Sequence, residues 1–230
     1  MKRILITGAS RGIGRAIAEK LARAETQLLL HGRDRAALQE TKRSVEERGG
    51  RGEIVICDLA NTDEVQDIAG EIGREPLDVL INNAGIAVVK PLDQISLEEW
   101  QRTLALNVTA PFLLTQKLVA QMQSGASIVN ILSIAAKTGF PGWSSYCMSK
   151  FALEGFSQSL REELRPRGIR VINIYPAATA TEIWNSVEGE WPREKMMSAN
   201  DVADAVCFAL GRPADVALEN ITLSNTSGAL

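Results

Sequence analysis

The chain has 230 residues, 45% of them hydrophobic and 23% charged, which is ordinary for a globular protein and long enough for one α/β unit with an ample core. A formal charge of −3 argues against a nucleic-acid partner, which would need a basic surface. No stretch approaches the roughly eighteen apolar residues that cross a bilayer, and the apolar run after Met1-Lys2-Arg3 is too short for a signal peptide; the three scattered cysteines, Cys57, Cys147 and Cys207, suit reduced thiols in a cytoplasmic protein and have no metal-site spacing.

In chain order, residues 3–7 form a short apolar run of the kind that becomes a buried parallel strand. Gly8-Ala9-Ser10-Arg11-Gly12-Ile13-Gly14 follows at once, and a helical pattern covers 15–23. Strand, glycine-rich turn and helix together set backbone N–H groups and a helix N-terminus against a phosphate. Gly8 permits the tight turn, Gly12 lets the backbone approach a pyrophosphate, and Gly14 lets helix and strand pack closely. A second strand is expected over 27–31 and a helix over 34–48, stopped by the Gly49-Gly50-Arg51-Gly52 cluster. Residues 53–57 read as the third strand, and Asn61 or Thr62 can cap a helix running to 72. The fourth strand, 77–81, runs into Asn82-Asn83-Ala84-Gly85. A long helix is expected over 97–122, with Pro111 as a kink. Strand five covers 127–132, a second long helix 145–165, strand six 169–175, a further helix 200–210 and a last strand 220–224. Strands alternating with helices predict a doubly wound, Rossmann-type parallel sheet of about seven strands, helices on both faces. Without repeat or linker, 1–230 reads as a single domain.

Two sites carry chemistry in this pattern. Tyr146 and Lys150 stand at i and i+4 of a predicted helix and so leave from one face. The ammonium is expected to draw the phenol below its free value of about 10, so that it exchanges a proton near neutral pH. Ser133, at the end of strand five, supplies a hydroxyl that can steady a carbonyl oxygen. The other site is the end of strand two, His31-Gly32-Arg33, where no acidic residue is present to bind a ribose 2′-hydroxyl. Arg33 and Arg11 can instead clamp a 2′-phosphate from two sides, which favours NADP over NAD. Asp34 is read as a cap for the next helix, His31 as structural and Cys147 as a packing residue.

Thr7 to Gly14, Asn82-Asn83-Ala84-Gly85, Asn107, Ser133 and Tyr146-x-x-x-Lys150, in this order over about 1–181, resemble the short-chain dehydrogenase/reductase family. The resemblance implies hydride transfer between a nicotinamide and a carbonyl or alcohol carbon, with Tyr146 as proton donor or acceptor. It assigns Ser133, Tyr146, Lys150 and Asn107 to catalysis, Asn107 holding a water chain to Lys150. It assigns Gly8, Ser10, Arg11, Gly12, Ile13, Gly14 and Arg33 to the dinucleotide. Asp58 and Leu59 would face the adenine, unless Asp58 only caps a turn; Asn83, Ala84 and Gly85 would pass the ribose, where Lys150 binds hydroxyls; Pro176 and Thr179 would lie by the nicotinamide, with Thr181 close by. Pro176-Ala177 departs from the family's usual Pro-Gly, which matters only if that position needs positive φ. Residues 181–199, with Ile183, Trp184, Trp191 and Met196, are expected either as a mobile lid over a mainly apolar pocket or as a packed helix pair. Residues 220–230 lack the Asp-Gly-Gly ending of tetrameric members, yet the long helices can pair two copies, so a homodimer or homotetramer is expected. The alternatives are an NAD-dependent alcohol dehydrogenase and, from another class, a non-catalytic dinucleotide-binding sensor.

Overall fold

Short runs of Ile, Leu and Val have little to offer water; those in the middle of the sheet become strands buried on both sides, and the two edge strands stay partly exposed. In a computed structural model, which describes residues 1–72, 74–187 and 189–226, these strands are β1 Lys2–Ile6, β2 Thr26–Gly32, β3 Arg51–Ile56, β4 Val79–Asn82, β5 Ser127–Ile131, β6 Arg170–Pro176 and β7 Asn220–Leu223. They form one parallel sheet in the order β3-β2-β1-β4-β5-β6-β7. Chain direction across the sheet reverses between β1 and β4, and at such a switch point a crevice opens beyond the carboxyl ends of the strands.

The helices are α1 Gly12–Leu21, α2 Arg35–Glu47, α3 Thr62–Ile72, α4 Leu97–Leu104, α5 Ala110–Leu118, α6 Ser144–Leu164 and α7 Ala199–Leu210. Strand alternation decides which face each one covers. Ile4 and Ile6 point to the side where α1, α2 and α7 pack, and Leu5 points to the side of α3, α5 and α6. Two ends follow local chemistry: Asp34 caps α2 by accepting from the Ala37 N–H at 3.1 Å, and Asn61 caps α3 by accepting from Asp63 and Glu64.

The helix expected over 97–122 is not continuous. It is interrupted by a π-helical turn at Ala105–Thr109, and the distortion lies in the turn before Pro111 rather than at it. The proline has no N–H to give the carbonyl of Asn107 four residues earlier, and it sits in the first turn of α5, where that lack costs little. The 181–199 stretch is not a helix pair either. It holds two short 3-10 turns, Glu182–Ser186 and Arg193–Lys195, and its ends are tied side by side by a bridge between Thr179 and Met197. Glu188 within it, and residues 227–230 of the C-terminal reading, lie outside the described residues.

A row of asparagines fastens α6 to the sheet. Asn82, Asn130, Asn173 and Asn220 stand in register on β4 to β7. Asn82 donates to Asn130 at 2.8 Å, and Asn130 donates to Ser157 of α6 at 2.9 Å. Buried amides of this kind are stable only when paired, so the row sets the position of the helix that carries Tyr146 and Lys150.

Candidate active site

A cleft of about 340 Å³ lies beyond the carboxyl ends of the strands. Its floor is the glycine-rich turn. Gly12 has φ +54°, a conformation that a side chain resists, and a Cβ on Gly14 would stand 2.1 Å from the Gly8 carbonyl oxygen, so α1 packs directly on its own turn. Gly14 therefore works behind the cleft wall, whereas Gly8, Ser10, Arg11, Gly12 and Ile13 line it. The first turn of α1 contains no acidic residue and its N-cap makes no side-chain bond, leaving the positive end of the helix dipole for an anion. Thr7 laces this loop to the next: its hydroxyl accepts from the N–H groups of Asn83 and Ala84 at 2.9 and 3.0 Å, while the Asn83 amide donates to the Thr7 carbonyl at 2.8 Å.

His31 is a buried strut between these loops. Its Nδ1 accepts from the Gly8 N–H at 3.3 Å and its Nε2 lies 3.1 Å from the Cys57 carbonyl, which fixes the neutral tautomer with the proton on Nε2. Burial pushes its pKa down to about 4.

Arg11, Arg33, Asp58 and Leu59 line the far end of the cleft. One Asp58 oxygen accepts from the Ala60 N–H at 3.0 Å in a turn, and the other lies 3.9 Å from both Arg33 and Arg102. Asp58 thus holds a turn and faces the cleft at once. Arg102, contributed by α4, was invisible to sequence reasoning because it lies far from Asp58 along the chain.

The opposite end holds Ser133, Tyr146 and Lys150, all on the cleft wall. Ser133 lies two residues beyond β5 in extended conformation, and its Oγ accepts from the Ala135 N–H at 3.1 Å. The expected tuning of the phenol by the ammonium does not occur in this arrangement. Lys150 Nζ donates to the Ile131 carbonyl at 2.9 Å and stands 5.6 Å from the Tyr146 ring centroid. Burial dominates, pushing Tyr146 up to about 12 against the opposing effect of Ser133, and Lys150 down to about 8.

Asn107 lies behind the wall rather than on it. Its amide accepts from the Ile86 N–H and donates to the Ile86 carbonyl, each at 2.9 Å, and donates to Ser149 at 3.0 Å. Gly85 runs over it so closely that a Cβ there would be 3.1 Å from Asn107 Oδ1 and 3.8 Å from Lys150 Nζ. Asn83, Ala84, Gly85, Pro176 and Thr179 line the cleft between its two ends. Ala177 has no positive φ, and its N–H donates to Leu223, so alanine fits there without strain.

Three tryptophans wall the space beyond Tyr146. Trp143 stands edge-on to Tyr146 at 5.6 Å, to Trp184 at 5.8 Å and to Trp191 at 6.0 Å, while Trp184 and Trp191 are 4.8 Å apart. Trp184 and Trp191 belong to the stretch anticipated from sequence. Trp143 was missed, although its place three residues before Tyr146 puts both on one side of the α6 N-terminus.

A model of the short chain dehydrogenase family matches residues 2–191. The chain is 34% identical to a sepiapterin reductase of Chlorobaculum tepidum, over 98% of this chain and 96% of that protein. A short chain dehydrogenase from Burkholderia cenocepacia solved in complex with NADP superposes with a TM-score of 0.88 at 31% identity, covering 96% of each chain. An alcohol dehydrogenase from Thermococcus sibiricus, complexed with 5-hydroxy-NADP, superposes with a TM-score of 0.90 at 25% identity, over 100% of this chain and 99% of the other.

Proposed function

Since the chain belongs to the short-chain dehydrogenase/reductase family and is an oxidoreductase, we propose that it reduces the carbonyl group of a small or medium organic substrate with NADPH. One observation carries this reading: Ser133, Tyr146 and Lys150 converge at one end of a cleft whose floor is an uncapped, glycine-rich helix start. The residues present fit a dinucleotide. The α1 N-terminus and the Gly8–Gly12 backbone would hold the pyrophosphate, Arg11 and Arg33 a 2′-phosphate, Asp58 and Leu59 the adenine. Asn83 to Gly85 and Lys150 would hold the nicotinamide ribose, and Pro176 and Thr179 the carboxamide.

When bound, the cofactor supplies the hydride that reaches the carbonyl carbon. The protein manages the oxygen. With its pKa near 12, Tyr146 keeps its proton throughout the neutral range and gives it to the carbonyl oxygen as negative charge develops there. Ser133 is already supplied with a donor by the Ala135 N–H, so its own hydroxyl proton is available to the same oxygen. Lys150, held by the Ile131 carbonyl, serves the ribose hydroxyls rather than the phenol. Asn107 holds the Ile86 loop in place, and through its position beside Lys150 keeps the proton path to solvent open. The 181–199 segment acts as the lid.

NADP-bound relatives support the choice of cofactor. The pairing of Arg33 with Asp58 favours the alternative, an NAD-dependent dehydrogenase, because it occupies the cation that a 2′-phosphate needs. The protein acts in a reducing compartment such as the cytoplasm, and the exposed face shared by α5 and α6 pairs two copies. The test is NADPH consumption against a panel of ketones and aldehydes. Tyr146→Phe is expected to lower kcat about 10²–10⁴-fold while NADPH affinity stays within about twofold. Unchanged turnover would remove Tyr146 from the mechanism. An NADPH preference that survives Arg33→Ala and Arg11→Ala would remove the arginine clamp.

A further inference from the structure

We infer that Trp143, Trp184 and Trp191 form a recognition wall that selects substrates carrying a flat, conjugated ring beside the reacting carbonyl. This inference rests on the carbonyl-reductase reading of the same cleft. Three of the chain's four tryptophans meet here, from two segments far apart in sequence, which is more aromatic surface than closing a core requires. Each is only partly buried and lines the cleft, so the rings keep surface for a ligand.

A carbonyl oxygen held by Ser133 and Tyr146 directs whatever is attached to its carbon past Trp143, whose ring is 5.6 Å from that of Tyr146. The group then meets Trp184 and Trp191. Trp184 is fixed, because its indole N–H donates to the Thr179 carbonyl at 2.8 Å. A pre-set aromatic wall favours a ring that can pack against it edge-to-face or offset-stacked, and gives less to a saturated ring of the same outline.

Aromatic cages also bind quaternary ammonium groups, so charge decides between the two ligands. Of the described residues that line the cleft only Asp58 and Glu182 are carboxylates; Asp58 lies at the far end, and Glu182 is turned toward the phosphate end, where a Cβ on Gly12 would lie 3.4 Å from its Oε2. A cation among the tryptophans would lose its hydration with neither of these cleft-lining carboxylates turned to it, whereas a neutral flat ring needs no counter-charge.

The test is calorimetric titration of the protein saturated with its oxidised dinucleotide, using three methyl ketones: 2-acetylnaphthalene, 2-acetyldecalin and one bearing a trimethylammonium group. The naphthyl ketone is expected to bind about tenfold more tightly than its saturated counterpart. That ratio should fall toward one in Trp184→Leu and Trp143→Leu and be largely restored in Trp184→Phe. Equal binding of the two ring systems by the unaltered protein, tightest binding of the ammonium ketone, no binding of any of the three, or a ratio unmoved by the leucine variants would each overturn the inference. Parallel NADPH assays separate the two readings. Aryl preference in binding without consumption strikes the reductase reading and leaves the wall standing; consumption without aryl preference does the reverse.

Discussion

His31 gives the residue scale a measurable signature. It is the only histidine in the chain, and it joins the glycine-rich loop to the end of β3 as a neutral ring. Its folded-state pKa of about 4 lies below the ordinary value of 6.5. The unfolded chain therefore binds more protons between those two values, and the stability His31 contributes is fully present above pH 6.5 and is lost as pH falls through about 4. In urea unfolding, the wild type is expected to exceed His31→Leu by a margin that shrinks from pH 7 to pH 4.5. A margin constant over that range would show that the ring is not held neutral. Tyr146 teaches a related lesson. The i, i+4 spacing places Lys150 on its side of the helix but says nothing about where the ammonium finds its partner, and here it finds the Ile131 carbonyl.

At the scale of elements, the broken α4–α5 unit is the most informative. An asparagine inside a helix normally turns its amide to water or to its own backbone. Asn107 instead grips Ile86 twice and Ser149 once, fixing the loop after β4 to α6 through a turn that Pro111 cannot tighten. Replacing it by leucine removes one buried and two partly buried hydrogen bonds at about 1 kcal/mol each and strands the Ile86 backbone, so Asn107→Leu is expected to lose about 2–4 kcal/mol in urea unfolding. Turnover should fall further than cofactor affinity if Asn107 has the role proposed for it, because the Ile86 loop and Ser149 that it holds lie away from the phosphate end. A variant as stable as wild type would mean that the π-helical turn is held by other contacts.

For the whole molecule, the sheet is covered on both sides, yet α5 and α6 leave Phe112 and Phe151 at 41% and 46% exposure. Phe112 is also edge-on to Phe156 at 5.9 Å, which extends the apolar surface across both helices. Apolar surface shared by two adjacent helices is suited to burial against a second copy. Sedimentation of the wild type is expected to give at least a dimer, and Phe112→Glu with Phe151→Glu to give monomer at the same concentration. A wild-type monomer at micromolar concentration would refute the pairing. Among the described residues, no helix is long and apolar enough to cross a membrane.

Strand and helix alternation, the glycine spacing before α1 and the Asp34 cap were legible because each depends on neighbours in the chain: hydrophobic period, backbone freedom and a side chain within reach of its own helix. The seven parallel strands and the end of the sheet where the cleft opens follow from that same local information. What only the tertiary structure decided lies between segments. Sequence alone placed neither Trp143 against Trp191, nor Arg102 beside Asp58, nor the Lys150 ammonium on Ile131. It also had the direction of the Tyr146 shift reversed, since a pKa answers to burial and to partners brought in from distant strands, and neither is encoded in the spacing of two residues on one helix.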